Sequence, residues 1–181
     1  MIGESLSRGF VAMFIALVLL AGCGGGQRER ADTWQYPVRL GDSRARVHEL
    51  LGAASRSTLD LEEYPASGVT VWFDTENRVT KPNFAGEASA VYASASFDPI
   101  ISEQQLLFGL TGHTDEAGFK RVLGVPARES QERSASVREL RCVWKKDGYL
   151  VDALFLVAKR NHEGKTFPKG TLLWFEVFRG L

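Results

Sequence analysis

Hydrophobic positions fall into three regimes along the chain. From Phe10 to Ala21 they run unbroken, FVAMFIALVLLA, with no charge. From Asp42 to Gly52, and again from Thr114 to Gly124, they recur at helical spacing: Val47, Leu50 and Leu51 form one stripe, and Phe119, Val122 and Leu123 another. Elsewhere the period drops toward two. Val69, Val71 and Phe73 alternate with Thr70, Trp72 and Asp74, and Val91, Ala93, Ala95 and Phe97 alternate with Tyr92, Ser94 and Ser96. Further strands are expected at Glu139 to Lys145, Tyr149 to Val157 and Thr171 to Phe178, with turns at Asp74 to Arg78 and at Lys146, Asp147 and Gly148.

Each helical stretch carries its own start and stop. Asp42 or Ser43 in the first, and Thr114 or Asp115 in the second, can accept from the unpaired amides of a first helical turn. Gly52 and Gly124 end the two stretches, and Pro126 blocks resumption of the second. An offset of 72 residues lays Leu40 to Arg56 over Gly112 to Arg128, so that Ala45 meets Ala117, Leu51 meets Leu123, Gly52 meets Gly124 and Arg56 meets Arg128. Val71 and Trp72 fall on Val143 and Trp144 at the same offset. The expected architecture is therefore α+β, with two tandem repeats, each a short helical segment packed on an antiparallel sheet. The first repeat is placed at 36–98 and the second at 99–181.

The unbroken run is too short for a permanent membrane span, which needs roughly 20 apolar residues, and reads as the core of a signal peptide, 1–22. Directly after it stand Leu20, Ala21, Gly22 and Cys23. This LAGC resembles the lipobox of bacterial lipoproteins. The resemblance implies cleavage before Cys23 and attachment of diacylglycerol to its thiol. Residues 23–35, with Gly24, Gly25 and Gly26 at their start, then read as a flexible lipid-anchored tether. The absence of aspartate after Cys23 implies, by analogy with enteric sorting rules, an outer-membrane position facing the periplasm in a Gram-negative host.

The chain has 181 residues, 44% apolar and 24% charged, a globular composition. Its 22 basic residues balance 22 acidic ones, which argues against nucleic acid as a partner. With Cys23 lipidated, Cys142 has no partner within the chain and is expected to be a buried small hydrophobe.

The glycine before the first helix, the LG at its end, and a strand closing in WFD before a turn map to Gly41, Leu51, Gly52, Phe73 and Asp74. This pattern resembles the small SmpA/OmlA (BamE-type) lipoproteins of the outer-membrane assembly machinery. A tandem pair of such units resembles the β-lactamase inhibitor proteins, whose two repeats form one concave sheet surface.

Catalytic signatures are missing: no GxSxG, P-loop, dinucleotide glycine pattern or HExxH occurs, so no catalytic residue and no cofactor is expected. His48, His113 and His162 are far apart, and no metal site is expected. His48 beside Glu49 reads as a solvated pair. Glu62 with Glu63, and Glu129 with Glu132, could be paired carboxylates, but acid/base work needs a pocket and shifted pKa values. The basic stretch Lys159 to Gly170 reads as a polar loop able to meet anionic phosphates. Trp72, Tyr92, Trp144, Tyr149 and Trp174 all sit in expected strands, where aromatic side chains on an uncovered face would anchor a protein partner. The expected function is a non-catalytic envelope lipoprotein that binds another envelope protein through its sheet, in outer-membrane assembly or maintenance. The alternative is an inhibitor or immunity protein that occludes an enzyme or toxin, and an enzyme would instead reveal itself by a buried, mutually hydrogen-bonded polar cluster in a cleft.

Overall fold

The computed structural model describes residues 34–89, 106–134 and 137–180. The expected signal peptide, Cys23, most of the expected tether, Tyr92 and the expected boundary between 98 and 99 lie outside them.

Both helices form where their caps and stripes place them. Helix α1 is Arg44–Leu51, and the Ser43 side chain accepts from the Arg46 amide. Helix α2 is Glu116–Leu123, and Asp115 accepts from the Gly118 amide at 2.8 Å. Gly52 (φ 81°, ψ −157°) and Gly124 (φ 85°, ψ −154°) end them in a backbone region that excludes a Cβ.

The strands are β1 (Arg56–Ser57), β2 (Leu61–Tyr64), β3 (Val69–Phe73), β4 (Val79–Ala85), β5 (Arg128–Ser134), β6 (Val137–Lys146), β7 (Tyr149–Leu156), β8 (Arg160–His162), β9 (Lys165–Phe167) and β10 (Leu172–Arg179). Eight of them form one antiparallel sheet in the order β1-β2-β3-β4-β10-β7-β6-β5. The remaining two, β8 and β9, make a separate hairpin in the stretch expected to be a polar loop.

Two tandem repeats, each a helical segment on its own sheet, are not what this chain adopts, and α+β describes it only loosely. Among the described residues the fold is predominantly one eight-stranded sheet with two short α-helices. Strand β10 inserts between β4 and β7, so Phe175 stands opposite both Phe84 and Ala153. Separate sheets would leave unpaired N–H and C=O rows where this insertion pairs them. The 72-residue offset also fails past the helices. Arg56 pairs with Glu63, but Arg128 pairs with Val143 across a longer hairpin, so Trp72 and Trp144 occupy strands with different roles.

One continuous core lies between the helices and the sheet. Val47 of α1 shares it with Val69, Val71 and Phe73, while Phe119 of α2 packs its ring on Trp144, Phe155 and Phe175 at centroid distances of 5.6, 5.2 and 5.4 Å. Tyr36 fills the middle, edge-on to Phe84 at 4.9 Å. A smaller core lies on the opposite, helix-free face: Ala88, Leu154, Leu156, Phe167 and Leu173, capped by β9. Leu172 and Phe175 stay in the first core, and a register shift between Leu172 and Trp174 lets the two consecutive residues Leu173 and Trp174 both turn to the second. At the end of β4 only glycine fits: a Cβ on Gly86 would stand 2.5 Å from the Leu172 carbonyl oxygen. Among the described residues, no helix is long and apolar enough to cross a membrane.

Candidate functional site

Directly opposed residues in a sheet share a face. On the helix-free face one such row crosses all eight strands: Arg56, Glu63, Thr70, Asn83, Glu176, Asp152, Val143 and Arg128. It is nearly all polar, where the neighbouring central positions of the other face, Phe84, Phe175 and Ala153, are apolar. Asp152 and Glu176 stand side by side at its centre with side chains only 5% and 11% exposed. Each is neutralised from one flank. Arg141 donates Nε to both Asp152 oxygens at 3.0 Å and Nη2 to Oδ2 at 2.6 Å, and Lys81 Nζ lies 2.9 Å from Glu176 Oε2. The Asp152 bonds hold the Arg141 guanidinium well above its ordinary pKa, against the opposing effect of burial. Lys81 also sits over the Trp72 ring, 4.4 Å from its centroid.

The outermost layer of this patch is therefore cationic and aromatic. The acids beneath are acceptors whose charge is already matched, so they do not present a free base to solvent. The arrangement suits recognition by stacking and charge-assisted hydrogen bonding.

A second polar cluster lies under α1. The Glu62 carboxylate, 1% exposed, accepts from Tyr64 Oη at 2.6 Å, Ser57 Oγ at 3.0 Å and Arg44 Nη1 at 3.2 Å, and meets His48 Nε2 at 2.9 Å. Burial pushes the Glu62 carboxyl up, but the hydrogen bonds from Tyr64, His48 and Ser57 and the charge of His48 together outweigh it and hold it below its ordinary value. Arg44 is fixed further by the Thr58 and Leu59 carbonyls and by the Phe73 ring, 4.3 Å from its Cζ. Beside it a shallow depression of about 480 Å³ is lined by Ser43, Arg44, His48, Asn77 and Arg78 among others. This is a hydrogen-bonded polar set whose carboxylate is saturated by donors from the chain itself.

The expected site residues divide. Trp72 and Trp174 lie half-buried on the helix-free face, Trp174 against the smaller core. Trp144 does not belong to a surface: it is 1% exposed, stacks on Phe119, and its Nε1 donates to the Gly124 carbonyl at 3.0 Å. Tyr149 points to the helix side and packs against Trp34 and Phe108. The supposed carboxylate pairs separate onto opposite faces, Glu63 meeting Arg56 and Glu129 meeting Lys120. His48 faces Glu62 rather than Glu49, which pairs with Arg46 at 2.8 Å. Sequence reasoning missed Lys81, Arg141, Asp152 and Glu176. The available signal was a lone carboxylate within each apolar strand, in YLVDALF and LLWFEVF, since a buried charge requires a partner.

No family model and no curated protein matches this sequence. Among solved structures, the chain is similar to a DUF4309 family protein, YjgB, from Bacillus subtilis, at 12% identity and a TM-score of 0.41 over 77% of this chain and 79% of that one.

Proposed function

We propose that this protein is a lipid-anchored component of the cell envelope that binds another envelope protein through the helix-free face of its sheet and catalyses no reaction. In a Gram-negative host it sits at the outer membrane, facing the periplasm, with a role in outer-membrane assembly or maintenance. The observation that carries the binding reading is Trp72, half-buried beneath Lys81 at the margin of the Lys81–Glu176 and Asp152–Arg141 pairs. Aromatic and arginine side chains held rigid at a surface lose little entropy on contact and dominate interface energies. The LAGC motif at Cys23 supports the anchoring reading, and confinement near a bilayer raises the effective concentration toward membrane partners.

A photoreactive amino acid at position 72, in cells, is expected to crosslink one envelope protein. The same group at 144, inside the core, serves as the control. No labelled protein above that control overturns the binding reading, and intact-mass measurement showing an unmodified Cys23 thiol overturns the anchor.

A further inference from the structure

The two edges of the sheet differ. Strand β1 has two residues, whereas β5 has seven, paired to β6 on one side and to no strand of the described residues on the other. An antiparallel edge of that length leaves alternate N–H and C=O groups directed outward, a template for another strand. Its side chains from Arg128 to Arg133 are exposed or half-exposed and include no apolar residue. A partner strand would therefore be selected by main-chain hydrogen bonds and by charge order.

We infer that β5 pairs antiparallel with β5 of a second copy of this chain, about a two-fold axis through Ser130. Charge order selects both the partner and the register. Opposed residues must share a face, so a two-fold pairing of this kind centres on a residue. Centring on Glu129 or Glu132 sets that glutamate against itself. Centring on Gln131 opposes Glu129 to Arg133, but Glu129 is already held by Lys120 at 2.9 Å and accepts from the Cys142 thiol at 3.8 Å. Centring on Ser130 opposes Arg128 to Glu132 twice and Glu129 to Gln131 twice. Arg128 is exposed and has no ion pair among the described residues. Glu132 has a hydrogen bond from Ser130 at 3.3 Å and a long contact to Arg141 at 3.7 Å, which leaves it able to accept a second cation. The joined sheets form one ladder, and the two helix-free faces lie on the same side of it.

The full-length chain carrying Ser130→Cys, oxidised mildly in its native membrane, is expected to give a disulfide-linked dimer. Gln131→Cys is expected to give less, and the unsubstituted chain controls for Cys23 and Cys142. Sedimentation of the detergent-solubilised full chain is expected to show Arg128→Glu weakening dimerisation by roughly tenfold or more, since opposed like charges across a strand pair replace attractive ones at two symmetric positions. Glu132→Arg is expected to do the same, and the double reversal to restore the dimer. Circular dichroism confirms that each variant is folded. Four outcomes overturn the pairing: a chain that is monomeric throughout, a stronger crosslink from Gln131→Cys than from Ser130→Cys, a crosslink from Ser130→Cys to a different protein, or a double reversal that stays monomeric.

Discussion

Glu62 on β2 and Glu139 on β6 are both glutamates buried in strands, 1% and 3% exposed, and they meet opposite fates. Glu62 receives Tyr64, Ser57, Arg44 and His48, and the sum of those contacts overrides its desolvation. Glu139 stands opposite Leu156 on one side and Glu132 on the other, and its Oε1 has no hydrogen-bond partner. Burial alone acts on it, raising its carboxyl above the ordinary value. Depth in the fold does not set a carboxyl's charge; the donors within reach do.

The largest test of this contrast is removal of the saturated carboxylate. Glu62→Ala strips the Arg44 guanidinium and the Tyr64 hydroxyl of their shared acceptor and is expected to destabilise the fold by about 3–5 kcal/mol in urea unfolding. Replacing the orphan should do the reverse. Glu139→Met keeps the length and removes the unsatisfied polar group, with an expected gain of about 1–3 kcal/mol at neutral pH. A loss of stability there would mean that Glu139 has a partner after all.

The two groups also predict pH dependences of opposite sign. The lowered carboxyl of Glu62 contributes stability that is present above the ordinary glutamate range and is lost as pH falls through its folded value. The raised carboxyl of Glu139 contributes stability that is complete below that range and is lost as pH rises through its folded value. Urea midpoints measured across acid and neutral pH should therefore flatten on the acid side in Glu62→Gln and on the upper side in Glu139→Met. The smallest effect is expected at Arg56→Ala. It removes an exposed pair with Glu63 at 3.3 Å and should change stability by about 1 kcal/mol or less.

What could be read from the sequence was local. Ser43 and Asp115 cap the helices from the position just before each first turn, and Asp74 closes its turn by accepting from the Glu76 and Arg78 amides at 2.9 Å. Strand β3 buries Val69, Val71 and Phe73 as its alternation requires. What failed depended on register or on distant partners. His48 meets Glu62 across fourteen positions, so the neighbouring Glu49 was the wrong partner to infer. Trp72 and Trp144, matched by offset, point to opposite faces because a single step along a strand inverts the side chain. Strand β4 was hidden by Pro82, whose nitrogen has no hydrogen to donate. Its ladder to β10 ends at Asn83, while its pairing with β3 continues through Pro82 to Val79. Lys81, central to the candidate site, was lost with that strand. The position of Cys142 was legible: it is fully buried, which, together with the nearby Glu129, pushes its thiol up to about 12.

Strand β10 comes last in chain order among the described strands, yet it occupies the middle of the sheet, between β4 and β7. During synthesis, β1 to β4 on one side and β5 to β7 on the other emerge first, each group with one flank lacking its neighbour. Only when Leu172–Arg179 has been made can the halves be zipped together, through contacts such as Phe84 with Phe175 that span much of the chain. Closure is thus deferred until Leu172–Arg179 has been made, and the loop-closure entropy of those distant contacts makes it a slow step. Until then the nascent polypeptide exposes apolar surface and open strand edges that β10 will cover, the features that make an incomplete fold prone to aggregate.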